Sequence, residues 1–479
     1  MDSYKIIGVL KKSTWIISIL EQIGLAYNVY ENNRELYRSQ CGLIFSDQLL
    51  PSDKIIISCH KEYGRVKGYN TSKTVGFYYA YNDTNSQIKD RSFFAAQELY
   101  TLPGKCDLIG VVYNKDNEEI PGSGIVIEKN IVSLPWDIFS LSFGEELIRR
   151  PFYSPVIKKH WVEVGPSIDN GALRRIIEEL IYLKTEGSVI KYKRFVDLNK
   201  PIFGFRIDAD GYTEESTNTM IKIIERTGIR FSWYIDCENW RNALNHIQEL
   251  KNKNQEIGVH CWHHMTYMDQ FVNYINLSWA KRWLIKHGID VKGIVAPFGY
   301  YNSGLKQAIM KNGFKYSSEF AYDVDNLPSC VDLNYWQIPI HMGCIGSLSP
   351  YGFTRDEILK HLRWTIEKNQ KENGVAIIYG HPVGRMEKYL DELCDLISEE
   401  HKKESLMLTM NEILTEWIKL IEAKEIVERY EIKYPIEDCF VYPSEEILCE
   451  VGKGVKYLKE MNGSLISFLE SVIYKFLRG

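Results

Sequence analysis

The chain has 479 residues, with 58 basic and 63 acidic side chains and a formal net charge of −5. A hydrophobic share of 45% and a charged share of 25% fit a water-soluble globular protein of two or three domains. No basic stripe or arginine-rich run is present, which leaves nucleic-acid binding without support.

No run approaches the ~18 apolar residues of a membrane-spanning helix. The N-terminus lacks the basic, apolar and small-residue succession of an export signal, so a cytoplasmic location is expected. The 10 cysteines are scattered without a C-x-x-C pair, as in a protein with reduced thiols. The 31 tyrosines and 11 tryptophans suit carbohydrate stacking, and suit a large aromatic core equally well.

Residues 4–10 read as a buried strand. Residues 13–26 read as a helix capped by Ser13, with Trp15, Ile16, Ile19, Leu20 and Ile23 on one face. Strands are expected at Leu43–Phe45 and Ile55–Ser58, giving a smaller α/β module over residues 1–150 of unassigned role. Gly122-Ser123-Gly124 precedes a strand rather than a helix and fails the test for a dinucleotide fingerprint. Cys59-His60 is a weak nucleophile pair, because neighbours on a strand face opposite ways.

Residues 151–200 read as a linker with a helix from Leu173 to Tyr182 and a short strand at Ser188–Tyr192. From Pro201 the pattern changes. Short apolar strands (Ile202–Ile207, Ile229–Ile235, Glu256–His260, Ile294–Pro297, Tyr316–Ser318, Val375–Tyr379, Leu406–Leu408) alternate with helices at 214–227, 240–253, 276–287 and 302–312. This alternation predicts a distorted (β/α) barrel of parallel strands over residues 201–421. Residues 422–479 form a C-terminal extension, partly helical at Ser464–Leu477, where Lys475 and Arg478 leave peripheral membrane contact open beside simple packing.

Two segments of the barrel carry the chemistry. Phe205-Arg206-Ile207-Asp208-Ala209-Asp210-Gly211 ends an apolar strand with two carboxylates on one face, and Gly211 is expected to allow a sharp turn. Glu256-Ile257-Gly258-Val259-His260-Cys261-Trp262-His263-His264 sets His260 and His264 four apart on an expected helical turn, with His263 as a competing ligand. One carboxylate and two imidazoles leave room for a water, the pattern of a catalytic zinc. The spare carboxylate is then free to act as a base. Alone, each segment would read as a turn or a polar helix end; together, behind strands of one barrel, they point to a metal-dependent hydrolase.

With these residues the region resembles the polysaccharide deacetylase (NodB-homology) family over about residues 200–415. Glu256 through His264 corresponds to the family's E-I-G-x-H-x-W-x-H. Val295-Ala296-Pro297-Phe298-Gly299-Tyr300 corresponds in part to its proline-rich R-P-P-Y-G segment, and Ala376 through His381 to its apolar strand ending in His. The D-x-D spacing resembles an intracellular branch that includes lipid-linked-sugar deformylases.

The resemblance implies Asp208 as general base, Asp210, His260 and His264 as ligands of a divalent metal, usually zinc, and His381 as general acid. His341 is a rival for the acid role. Pro297, Phe298, Gly299 and Tyr300 are candidates around the substrate, with a backbone N–H near Phe298 or Gly299 as an oxyanion donor; Tyr301 and Asp323 are further candidate contacts. One departure stands out: the family's arginine is Val295 here. Arg206 is a substitute in type but is expected to face away from Asp208.

The implied activity is removal of an N-acetyl group from a sugar of a glycan or glycolipid precursor. Deformylation, other small N-acyl hydrolysis, and a degenerate barrel that binds or scaffolds glycan without turnover are the alternatives.

Overall fold

The computed structural model describes residues 5–76, 78–81, 91–93, 97–103, 108, 111–113, 119–137, 149–154, 156–164, 171–321, 327–332, 334–372 and 375–427. Asp323 and the expected helix at 464–477 lie outside them.

The N-terminal part is built on a six-stranded sheet ordered 126–128, 131–134, 55–59, 43–45, 7–10, 27–30. Its neighbours pair in parallel except for the antiparallel strands 126–128 and 131–134. The helix Thr14–Ile23 is shorter than expected, and Ser13 precedes it without a side-chain cap bond. Gly24 stops it in the left-handed region, at φ 84°, where its N–H closes onto Leu20 and Glu21. His60 is bonded through both ring nitrogens, to Ser133 Oγ at 2.8 Å and Gly124 O at 2.7 Å, and burial pushes the Cys59 thiol up to about 11. That pair is structural.

The C-terminal part is a mixed α/β unit around a curled nine-stranded sheet. Its path runs 329–332, 335–337, 316–317, 293–294, 256–259, 232–235, 202–209, 375–380, with 406–407 also pairing with 202–203. All these pairs are parallel except the first, where 329–332 runs antiparallel to 335–337. The sheet is therefore an open half-barrel with one reversed edge strand, which the expectation of all-parallel strands missed.

Strand Ile202–Ala209 is buried along its whole length, as its apolar run between two parallel neighbours requires. Side-chain caps start the outer helices: Thr213 accepts from Ser216 N, Asp269 from Val272 N, Asn302 from Leu305 N and Thr409 from Glu412 N. The expected helix 240–253 is instead a short turn at Cys237–Trp240 and a helix at Leu244–Asn252. Residues 188–192 form isolated bridges rather than a strand.

The two halves touch. Gln22 Nε2 donates to Ser329 Oγ at 2.7 Å, and Arg194 Nε to Glu21 O at 2.5 Å. A hairpin at Arg149–Ser154 and Lys159–Val164 also rests on the half-barrel, with Trp161 edge-on to the His361 ring at 5.2 Å. Among the described residues no helix is long and apolar enough to cross a membrane.

Candidate metal centre

The carboxyl ends of strands 202–209 and 256–259 bring three donors together. His260 Nε2 lies 3.0 Å from Asp210 Oδ1 and 3.0 Å from His264 Nε2, and His264 Nε2 lies 3.2 Å from the same Asp210 oxygen. Four ligands placed tetrahedrally at ~2.1 Å from a zinc ion sit roughly 3.4 Å apart. The observed spacings are close to that.

The His260 tautomer is fixed from behind. Its Nδ1–H donates to Val295 O at 2.8 Å, so Nε2 presents a lone pair to the cluster. Carboxylate oxygen and imidazole lone pairs aimed at one point repel unless a cation or proton lies among them. The donor set therefore fits a divalent metal.

His260 and His264 converge without a helical turn. Residues 260–264 form a bend in which Cys261 takes φ 67°. Nor does Gly211 need its special freedom: its φ is not positive, and an added Cβ would meet Val383 at an ordinary 3.8 Å. His263 points away, with Nδ1 bonded to Glu238 Oε2 at 2.8 Å, and is not part of the cluster.

Asp208 and Arg206 flank the cluster on the same strand. Two residues apart, they share a face, so the expectation that Arg206 faces away was an error of counting. Arg206 Nε and Nη2 donate to Asp208 Oδ1 and Oδ2 at 2.7 and 2.6 Å, and its Nη1 donates to Ser318 O at 2.8 Å. The guanidinium lies over the rings of Tyr379 and Phe320, 5.0 and 5.5 Å from their centroids. A bidentate arginine thus grips Asp208 although position 295 is valine.

His381 also approaches the cluster: its Nε2 is 3.5 Å from Asp210 Oδ2, and its Nδ1 is 3.8 Å from Cys344 Sγ. Burial works against the charged imidazole, but Asp210, Cys344 and Asp208 outweigh it and raise His381 to about 9. Burial likewise works against the Asp210 carboxylate, yet His381, His260 and His264 hold it well below the usual range. His341 packs instead against His361 and Trp364, with ring centroids 6.2 and 6.3 Å away.

The proline-rich segment forms one wall. Pro297–Gly299 is a tight turn in which Phe298 has φ 58°, and its ring sits 4.9 Å from that of His264. Gly299 N–H donates to Ala296 O at 3.0 Å and Tyr300 N–H to Pro297 O at 3.1 Å. Of the two expected oxyanion donors, Gly299 N–H is therefore already committed to a backbone carbonyl. The Tyr300 carbonyl accepts from Thr266, and Tyr301 is buried in a hydroxyl network with Tyr335.

Cys344, Ser318 and the Val295 carbonyl were invisible to motif reading, because each acts through a backbone group or a residue type the motifs do not name. Arg206 was legible: R-x-D on a strand is a same-face pair.

Residues 206–317 match the family model described as polysaccharide deacetylase. No curated protein matches the chain. Among solved structures, the Xyl-CE4 domain of a multidomain xylanase from the hindgut metagenome of Trinervitermes trinervoides is 16% identical, covering 46% of this chain and 91% of its own at a TM-score of 0.35. Peptidoglycan deacetylase PdaC from Bacillus subtilis is 13% identical, covering 47% and 95% at 0.34. BA3943, a CE4 family pseudoenzyme from Bacillus anthracis, is 14% identical, covering 56% and 90% at 0.35. The matched segment, which holds Asp208, Asp210, His260 and His264, places this part of the chain in the polysaccharide deacetylase family.

Proposed function

We propose that the half-barrel is a metal-dependent hydrolase that removes an N-acetyl group from a sugar of a glycan or glycolipid precursor, in the cytoplasm. The observation that carries this reading is the three-donor cluster of Asp210, His260 and His264, with His381 beside Asp210 and Asp208 two residues before it, on strand 202–209.

Asp210, His260 and His264 would hold the metal, with zinc the first candidate. Bound there, a divalent metal supplies Lewis-acid polarisation of an amide carbonyl and of water. Asp208 takes the proton of the attacking water; Arg206 occupies one lone-pair direction on each of its oxygens and leaves others open. Phe298 N–H would donate to the developing oxyanion. His381 gives its Nε2 proton to the departing amine, which leaves poorly without it. An N-acyl substrate suits that pairing of a base and an acid about one site, because its amine needs a proton to leave. Deformylation would use the same groups.

Val295 favours the non-catalytic alternative, and the Arg206–Asp208 pair weakens it by supplying the missing cation. A panel of N-acetyl and N-formyl sugars, free and lipid-linked, incubated with zinc-loaded protein tests the proposal by amine release. Release from at least one acylated sugar, abolished in Asp208→Asn, is expected. No release from any member, with metal bound, would favour a glycan-binding role.

A further inference from the structure

His381 has two nitrogens and one task at each. Nε2 faces Asp210 Oδ2 at 3.5 Å, on the side of the three-donor cluster. Nδ1 faces the thiol of Cys344 at 3.8 Å, within reach of a hydrogen bond to sulfur. The partner at the far nitrogen sets the tautomer and the ring orientation of an imidazole, and so decides which nitrogen can deliver a proton.

The thiol is held still. Cys344 is fully buried and free of any disulfide. Its backbone N–H donates to Ser347 Oγ at 2.8 Å at the head of a short helical turn, Ile345–Leu348. Gly343 before it, at φ 113°, has no room for a Cβ, which would come within 2.7 Å of His361 Nε2. Two residues on, Gly346 lies under the Arg385 side chain, 2.4 Å from where a Cβ would sit. The loop that carries the sulfur is thus clamped from the helix Arg355–Glu372 and from the segment following His381.

We propose that Cys344 is the positioning residue of His381: its sulfur accepts the Nδ1 hydrogen and keeps Nε2 turned toward the site. The sulfur does not touch substrate and forms no covalent bond in the reaction. The consequence for activity rests on the hydrolase reading above; the consequence for the ring does not.

The test uses the full-length, zinc-loaded protein with ¹⁵N-histidine labelling, His381 being assigned by its loss in His381→Gln. Cys344→Ser is nearly isosteric but draws the heteroatom back from Nδ1, since a C–O bond is shorter than a C–S bond. Cys344→Asp extends an acceptor toward the same nitrogen. At a pH high enough for the ring to be neutral, the hydrogen should sit on Nδ1 in wild type and Cys344→Asp; in Cys344→Ser and Cys344→Ala the pattern should shift toward mixed tautomers. On any sugar the wild type turns over, kcat should fall roughly 10- to 100-fold in Cys344→Ser with KM within about twofold, a part of the contribution of a positioned acid, and recover in Cys344→Asp.

An unchanged His381 nitrogen pattern in both Cys344→Ser and Cys344→Ala would overturn the inference. So would loss of zinc from Cys344→Ser, which would mean that the thiol supports the ligands rather than the acid. If the wild type turns over no sugar, the hydrolase reading fails by itself, and the nitrogen resonances still decide the role of Cys344.

Discussion

Arg206 holds both carboxylate oxygens of Asp208, at 2.7 and 2.6 Å, from two residues earlier on the same strand. Neither side chain reaches solvent, the arginine being 1% and the aspartate 3% exposed. Removing one partner of such a pair strands a buried charge, at a cost of ~3–5 kcal/mol. Arg206→Met is therefore expected to lose about that much in urea unfolding. A loss below about 1 kcal/mol, the range of an exposed pair, would mean that Asp208 finds another partner when Arg206 is removed.

The two aspartates should separate by assay. Asp210→Asn weakens metal binding, because it removes the only carboxylate of the cluster among the described residues. Asp208→Asn should bind zinc as the wild type does while losing turnover by roughly 10²- to 10⁴-fold, the usual worth of a general base. Titration with zinc and a rate measurement on each variant check both halves. The reverse pattern would exchange the two roles.

Glu319 provides a pH signature independent of the metal. Burial raises its carboxyl to about 8, against hydrogen bonds from Ser317 and Gln337 and the attraction of Arg206. Between the ordinary 4.5 and that value the folded state binds more protons than the unfolded one. Stability must then fall as pH rises through this window, by at most about 1.4 kcal/mol per unit from this group. Glu319→Gln should flatten that part of the stability–pH curve. Parallel curves for the two proteins would show that Glu319 does not titrate there.

Gly299 should tolerate no side chain. It adopts φ 64°, and a Cβ would fall 2.3 Å from Phe320 Cδ2. Left-handed backbone alone costs an alanine about 1 kcal/mol, and the clash adds to it. Gly299→Ala is expected to lower the melting temperature and to displace Phe320, which covers the Arg206 guanidinium. An unchanged melting temperature would mean that the turn relaxes freely.

Much of this was legible in the sequence. The strand–helix alternation from Pro201 exposes the barrel because buried parallel strands are largely apolar, as Ile202–Ala209 is apart from the paired Arg206 and Asp208. The cluster was legible because its donors follow those strands at short range. What misled was local geometry. The His260–His264 spacing suggests a helix, yet Cys261 at φ 67° achieves the same convergence in a bend. The reversed edge strand Ser329–Asp332 has no period of its own to reveal it. Cys344 reaches His381 across 37 residues, and only the folded chain joins them.

The central claim is that Asp210, His260 and His264 hold a metal ion, and elemental analysis of purified protein tests it most directly. About one divalent transition metal per chain is expected in the wild type, as for a three-ligand catalytic site, and its loss from a folded His260→Ala/His264→Ala variant. Absence of metal from folded wild-type protein, even after incubation with zinc, would contradict the account and leave the half-barrel as a non-catalytic glycan-binding domain.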